Sequence, residues 1–397
     1  MNPDLERLHS YPFQKLNALL EGVRPEAGRP LIPLYIGEPR HATPDFIKQA
    51  LVDNLGGLST YPATLGAEGL RIAIAQWLKR RYGLQSVDHQ TQVIPVNGSR
   101  EALFAFGQTI VDATRRDPVV ISQNPFYQIY EGAALLAGAM PHYLNNLPGN
   151  GYAFDFDQLP DALWRRAQLV YVCSPSNPTG YVMSLADWQR LFDLSDRHGF
   201  VIASDECYSE IYFDETQPPL GSLQAAQHFG RTGYPRLVMF SSLSKRSNVP
   251  GMRSGFVAGD AAILKKFLLY RTYQGCAMSP PVHMASMAAW QDEAHVVENR
   301  RLYREKFAAA LEILKPVLDV DMPKGAFYLW PRTPIDDTEF TRRLYEAQAV
   351  SVLPGSYLAR LAHGTNPGAG RVRIALVAST GECAEAARRI RAFVESL

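Results

Sequence analysis

Cysteine is scarce in this chain of 397 residues: Cys173, Cys207, Cys276 and Cys383 are the only four, widely spaced, with neither a C-x-x-C pair nor the density of a disulfide scaffold. A reducing compartment is the expectation. An excess of one charge is also lacking, because 40 Lys plus Arg meet 39 Asp plus Glu and leave a formal net charge of +1, without the electrostatic signature of a polyanion binder. There is no run of eighteen apolar residues, and the amino terminus MNPDLERLHSYPF carries acidic residues and no apolar stretch of the kind a secretory signal needs. A soluble, cytoplasmic protein with no membrane and no nucleic-acid partner is therefore expected. The nine histidines include no H-E-x-x-H, Cys173 and Cys207 have no metal-ligand spacing, and neither G-x-G-x-x-G nor G-x-x-x-x-G-K-[ST] occurs, so neither a metal site nor a nucleotide loop is expected.

What is present is 46% hydrophobic residues against 20% charged, with 29 Gly and 28 Pro, which suits a packed, loop-rich globular enzyme and excludes default disorder. The length admits two compact units. Residues 1–43 read as an arm, with a short helix over 16–21, a Pro- and Gly-rich link at 25–33 and an apolar run at 34–36. Too small to own a core, it must dock on something else.

From 44 to 285 the pattern alternates between extended and helical. Leu70, Ile74, Trp77 and Leu78 mark one helix face by their three- and four-residue spacing. Strands are expected at 93–96, 119–122, 169–173, 201–204, 237–240 and 255–258, several apolar at consecutive positions as strands covered on both faces require. Helices beginning near Ser99, Tyr130, Leu185 and Ala262 fall between them. The expectation is an α/β unit with a large, mostly parallel sheet. Residues 286–397 read as a smaller α+β unit, completed by the arm: one or two long helices over 281–314, strands at 326–330, 350–353 and 371–377, and a last helix over 382–397.

Four stretches carry chemistry. In F-S-S-L-S-K-R-S-N-V-P-G-M-R-S-G, residues 240–255, Lys245 follows an apolar strand and a serine cluster, and Arg253 comes eight residues later. A lysine can become a neutral amine and form a Schiff base with an aldehyde, while Ser242, Ser244, backbone amides and Arg253 could hold a phosphate dianion; a solvated basic loop is the plainer alternative. Asp205 stands just beyond the strand V-I-A-S, where ligands gather in an open α/β sheet, although an isolated Asp there also suits a helix cap. A carboxylate in this place could pair with a protonated pyridine nitrogen, and Tyr208 could hydrogen-bond the phenolic oxygen of the same ring. Asn177, in S-P-S-N-P-T-G, offers an amide to that oxygen from a loop that two prolines stiffen; read alone, N-P-T-G is a turn. In V-N-G-S-R-E-A-L, residues 96–103, a glycine turn opens a helix whose first amides would receive a phosphate, with Glu101 available as a cap.

Taken together, N-P-T-G, Asp205 with Tyr208, S-S-L-S-K and Arg253 resemble the fold-type I aminotransferases that use pyridoxal phosphate, and the likeness runs from I-G-E-P at 36–39 to R-V-R-I at 371–374. The stretches S-S-L-S-K-R-S-N-V-P-G-M-R-S-G-F-V-A-G-D and N-G-S-R-E-A-L-F more narrowly resemble bacterial succinyldiaminopimelate aminotransferases of lysine and peptidoglycan-precursor synthesis. The resemblance implies Lys245 as the Schiff-base lysine, Asp205 as partner of the pyridine nitrogen, and Asn177 and Tyr208 at the phenolic oxygen. It implies phosphate binding by the amides of Ser99 and Arg100, by Ser242 and by Arg253, with Ser244 a further candidate, and stacking by Tyr127 on the ring. Tyr61, in Tyr61-Pro62, resembles the tyrosine that reaches the neighbouring subunit's phosphate in a homodimer.

Arg373 resembles the arginine that grips the substrate α-carboxylate, with Arg371 the alternative, and Gly37 would let the arm approach that carboxylate. The implied reaction joins N-succinyl-LL-diaminopimelate and 2-oxoglutarate with N-succinyl-2-amino-6-oxopimelate and glutamate. Arg100 and Arg360 are candidates for the distal carboxylates, and the stretch 354–370 for a mobile rim. The shared machinery leaves open an aminotransferase for aspartate, aromatic amino acids or kynurenine, a carbon-sulfur lyase, and a non-enzymatic carboxylate- or phosphate-binding protein.

Overall fold

The computed structural model describes residues 1–397, and its largest element is a seven-stranded sheet covered by helices on both faces. In chain order the strands are β1 (Ile32–Pro33), β2 (Val93–Val96), β3 (Val119–Asn124), β4 (Met140–Asn145), β5 (Ala167–Cys173), β6 (Val201–Asp205), β7 (Leu237–Ser242), β8 (Gly255–Gly259), β9 (Tyr328–Leu329), β10 (Val350–Ser351), β11 (Leu353–Pro354) and β12 (Val372–Ala375). The large sheet has the order β2-β8-β7-β6-β5-β3-β4. Strands β3 to β7 run parallel, whereas β8 is antiparallel to both β7 and β2. The connection from β7 to β8 holds only the short helices Leu243–Arg246 and Pro250–Met252, neither long enough to cross the sheet and restore a parallel return. It is this connection that carries Lys245.

Every residue of β2, β3, β5, β7 and β8 is buried, which explains their unbroken apolar runs. Side chains alternate between two cores: Leu237 and Met239 face a cluster containing Trp77, Trp188 and Trp290, while Val238 and Phe240 face one containing Phe106 and Phe267. The one unexpected strand of this sheet is β4, whose sequence M-P-H-Y-L-N mixes polar and apolar residues because it lies at the sheet edge, where Pro141 is tolerated.

Three short antiparallel strands, in the order β11-β12-β9, form a second sheet, and β1 of the arm pairs in parallel with β10. Ile32 and Leu34 enter the same apolar cluster as Phe307, Phe340, Ile374 and Phe393. The arm helix is Pro12–Leu19, not 16–21, because Pro12 supplies a first helical position and Gln14 Oε1 accepts from the Tyr11 amide at 3.2 Å. Residues 281–314 fold as two helices, Pro280–Gln291 and Ala294–Leu314. No helix is long and apolar enough to cross a membrane.

Candidate active site

The carboxyl ends of β5, β6 and β7 deliver Cys173, Asp205 and Ser242 to one edge of the sheet, and the helix Ser99–Ile110 starts beside them. Ligands gather at this edge in open α/β sheets because strand ends and helix amino termini leave backbone groups and loop side chains free to converge. Here they enclose a cavity of about 450 Å³. Lys245, Asp205, Tyr208 and Asn177 line it, as do Ser99, Arg100, Ser244 and Arg253 on one side and Tyr127, Gly37 and Arg373 on others.

Asp205 is buried, and its only partners are neutral: Tyr130 donates to Oδ2 at 2.7 Å and the Cys207 amide to Oδ1 at 3.2 Å. A buried carboxylate without a cation leaves a place for one. Burial, then the nearby Asp205 charge, push the Tyr130 phenol well above its usual range, so it acts as a donor. Tyr130 also stacks on Tyr171 with ring centroids 4.7 Å apart, which fixes its hydroxyl on the carboxylate.

On one side of the cavity the first-turn amides of Ser99 and Arg100, which a helix cannot satisfy itself, border the space and suit an anion. Gly98 has φ +84°, and a Cβ there would lie 2.3 Å from Arg253 Nη2, so the missing side chain makes room for the guanidinium. Arg253 donates to the Pro250 carbonyl at 2.8 Å and is paired with no carboxylate. Ser242 departs from expectation: its hydroxyl accepts from the Ser244 amide at 3.1 Å and reaches the Ser254 carbonyl at 3.2 Å, so it caps the short helix inside the protein and does not line the cavity. Tyr61 lies outside this cavity and is fully exposed.

Arg373 is buried on β12, with Nη1 donating to Asn177 Oδ1 at 3.0 Å and Nη2 to the Tyr35 carbonyl at 2.9 Å, while its Nε is buried with no partner. The alternative, Arg371, donates to the Trp330 carbonyl at 2.9 Å and is absent from the cavity wall. Arg360 is also elsewhere, paired with Glu131 at 2.6 Å. The stretch expected to form a rim is held to the large sheet by this pair, by the Phe126 amide donating to the Leu358 carbonyl at 3.1 Å, and by Asn124 Nδ2 donating to the Arg360 carbonyl at 2.8 Å. Gly37 lines the cavity, and a Cβ there would lie 2.0 Å from the Tyr328 hydroxyl oxygen, so the bare Cα leaves room for that tyrosine.

Sequence reasoning missed Tyr130 and Tyr328. The first had a signal, since it follows Tyr127 by about one helical turn; the second is brought in by β9 from far along the chain, and nothing local marks it. Cys173 and Cys207 also line the cavity, as thiols pushed well above their usual range by burial and then by Asp205.

The donors fit pyridoxal phosphate: a lysine, a buried carboxylate lacking a cation, a helix start with an unpaired arginine, and a second arginine with an orphaned N–H. A model of the aminotransferase class I and II family matches residues 29–390, and the chain belongs to that family. It is a pyridoxal phosphate-dependent aminotransferase, an enzyme of small-molecule amino acids and 2-oxo acids. The fold is similar to the crystal structure of an aminotransferase from Neisseria meningitidis Z2491, with a TM-score of 0.96 and 52% identity over 99% of this chain and 100% of that one. A probable N-succinyldiaminopimelate aminotransferase from Thermus thermophilus superposes with a TM-score of 0.85 at 28% identity, covering 97% and 100%. Among curated sequences, an LL-diaminopimelate aminotransferase from Desulforudis audaxviator (strain MP104C) is 30% identical over 98% of this chain and 96% of that protein.

Proposed function

We propose that the chain exchanges an amino group between N-succinyl-LL-diaminopimelate and 2-oxoglutarate, giving N-succinyl-2-amino-6-oxopimelate and glutamate. The observation that carries this reading is a second open guanidinium in the cavity. Arg100 donates Nε–H to Tyr127 Oη at 2.6 Å and has no carboxylate partner, so its two terminal nitrogens remain for a distal carboxylate while Arg373 takes the α-carboxylate. The names of the Thermus and Desulforudis proteins support a diaminopimelate-type substrate. The second of them also favours a rival, unsuccinylated LL-diaminopimelate, which keeps a distal carboxylate for Arg100 but carries an ammonium group in place of the succinamide and its terminal carboxylate.

Bound pyridoxal phosphate supplies an electron sink for the pair left at the substrate α-carbon when its proton departs. Asp205 holds the proton of the ring nitrogen, and Tyr130 orients that carboxylate. Asn177, whose Oδ1 is occupied by Arg373, keeps its amide N–H groups and, with the Tyr208 hydroxyl, would hold the ring's phenolic oxygen. Ser99 and Arg100 amides, Ser244 and Arg253 hold the phosphate, and Tyr127 covers the ring. Lys245 would anchor the aldehyde and, as a free amine, would remove and return the substrate α-proton at Nζ.

The ranges 1–43, 44–285 and 286–397 serve in this reading as arm, large domain and small domain. The working unit is a homodimer in which Tyr61 reaches the other copy's phosphate. Support comes from the full exposure of Tyr61 together with the exposed Val52, Leu55 and Leu58 nearby in the chain. The cytoplasm is the proposed compartment, consistent with four free cysteines. The test is a panel of half-reactions on the cofactor-loaded protein with N-succinyl-LL-diaminopimelate, LL-diaminopimelate, glutamate, aspartate, cystathionine and phenylalanine, followed by the change in visible absorbance. Conversion by N-succinyl-LL-diaminopimelate and glutamate is expected. Turnover of LL-diaminopimelate or aspartate with none of the succinylated compound overturns the assignment, and pyruvate with ammonia from cystathionine would mark a lyase.

A further inference from the structure

We propose that Tyr328 is a positioning residue that joins the two halves of the site, holding the Tyr208 hydroxyl with its own and carrying the Arg373 guanidinium on its ring face. The inference rests on the roles given above to Tyr208 and Arg373. Tyr328 is buried on β9, and its Oη lies 2.9 Å from Tyr208 Oη. Arg373 Cζ stands 4.5 Å from the centre of its ring, and the two tyrosine rings meet edge to face at 5.7 Å. The absence of a side chain at Gly37 is what admits the Tyr328 hydroxyl, since a Cβ would lie 2.0 Å from it.

One residue thus touches the carboxylate grip, the phenol and the arm. Its ring and its hydroxyl do different things. The ring face is a quadrupole that holds a desolvated guanidinium in plane. The hydroxyl can donate to Tyr208 Oη, which frees the Tyr208 proton for an acceptor in the cavity and polarises it as a better donor. The groups that face the pair are Arg373, Cys173, Tyr11 and Tyr303, with Lys245 Nζ 5.9 Å from the Tyr208 ring centre. Burial, followed for Tyr208 by the charge of its neighbour, pushes both phenols upward, so both are neutral hydroxyls at ordinary pH.

The experiment titrates the visible absorbance of the cofactor-loaded protein with pH. In Tyr328→Phe the Tyr208 hydroxyl loses its polarising partner, the negative charge on the cofactor's phenolic oxygen is less well stabilised, and the nitrogen joining Lys245 to it holds its proton to higher pH. The midpoint should rise by about half a pH unit, the size set by losing one neutral hydrogen bond at one remove. Gly37→Ala, which displaces the same hydroxyl, should move it in the same direction, and Gly37→Ala/Tyr328→Phe should move it no further than Tyr328→Phe alone. Tyr328→Leu also removes the ring face, and should raise the KM for glutamate about fivefold beyond Tyr328→Phe. Tyr208→Phe is the control and should shift the midpoint more than any of these.

A midpoint within about 0.1 unit of the parent in Tyr328→Phe, with Tyr208→Phe shifted, overturns the inference while leaving the assignment of Tyr208 standing. Equal KM values in Tyr328→Phe and Tyr328→Leu overturn the ring's part in it. No shift in Tyr208→Phe removes the role of Tyr208 and this inference together, whereas the substrate assignment is decided separately by the half-reaction panel.

Discussion

Replacing Arg373 by lysine keeps one positive charge at the position proposed for the substrate carboxylate and removes the fork. In the folded protein Nη1 is committed to Asn177 Oδ1 at 3.0 Å and Nη2 to the Tyr35 carbonyl at 2.9 Å, with the guanidinium 4.5 Å above the Tyr328 ring. The guanidinium has five N–H groups, so three remain, enough for a carboxylate to be held through two of them. A lysine ammonium has three donors, cannot lie flat on the ring, and cannot serve both buried acceptors and a bidentate substrate. Losing one charge-assisted hydrogen bond costs about 1.5–3 kcal/mol, and leaving a buried carbonyl unpaired costs about 1–3 kcal/mol. At about 1.36 kcal/mol per factor of ten, Arg373→Lys should lower kcat/KM for an α-amino acid by roughly 10²- to 10⁴-fold. The assay is single-turnover conversion of the loaded protein with an amino acid and with the matching amine that lacks the carboxylate. The variant should lose its rate on the first and keep, within about threefold, its slow rate on the second. A fall of the same factor on both substrates would refute the reasoning, because it would place the defect in folding or in the cofactor and not in carboxylate recognition.

Gly98→Ala places a Cβ 2.3 Å from Arg253 Nη2 at a backbone φ of +84°, so the concentration of pyridoxal phosphate needed to load the apo protein should rise at least about tenfold; unchanged loading would contradict the phosphate role of Arg253. Trp290 is fully buried, 4.7 Å from the Trp77 ring and 5.1 Å from that of Phe256, and Trp290→Ala should cost about 3–5 kcal/mol in denaturant unfolding, with a loss under about 1 kcal/mol counting against this packing. Lys306 donates only to the Val377 carbonyl at 3.2 Å, and burial pushes its ammonium from 10.5 down to about 8. Between those two values the unfolded chain binds more protons than the folded one, so this residue makes stability rise with pH there. Lys306→Met should remove that contribution, read as a wild-type-minus-variant difference in urea midpoint that grows from pH 8 to 10; a difference independent of pH would disprove it.

Much of the large sheet was legible in advance because its strands at 93–96, 119–124, 167–173, 201–205, 237–242 and 255–259 are buried on both faces and so are apolar at consecutive positions. Edge strand β4 was not, since one side of it needs no cover. Lys245, Asp205, Asn177 and Arg253 could be singled out because each stands a few residues from a strand end, where local order in the chain becomes proximity in space. Ser242 shared that position yet turned inward, because a helix start close by needed a cap more than the cavity needed a hydroxyl.

By itself, then, the order of residues determined the sheet strands, the helix starts and the side chains with phosphate, amine and carboxylate chemistry, all of which depend on neighbours within one turn or one loop. Tertiary structure alone decided which of them meet. It brought Tyr130 onto Asp205, put Arg373 on the cavity wall and Arg371 off it, sent Arg360 to Glu131, and set Tyr328 against both Tyr208 and the bare Cα of Gly37. Those contacts join residues from distant parts of the chain, and no periodicity or spacing encodes them, because they follow from how the packed layers close and not from any local preference.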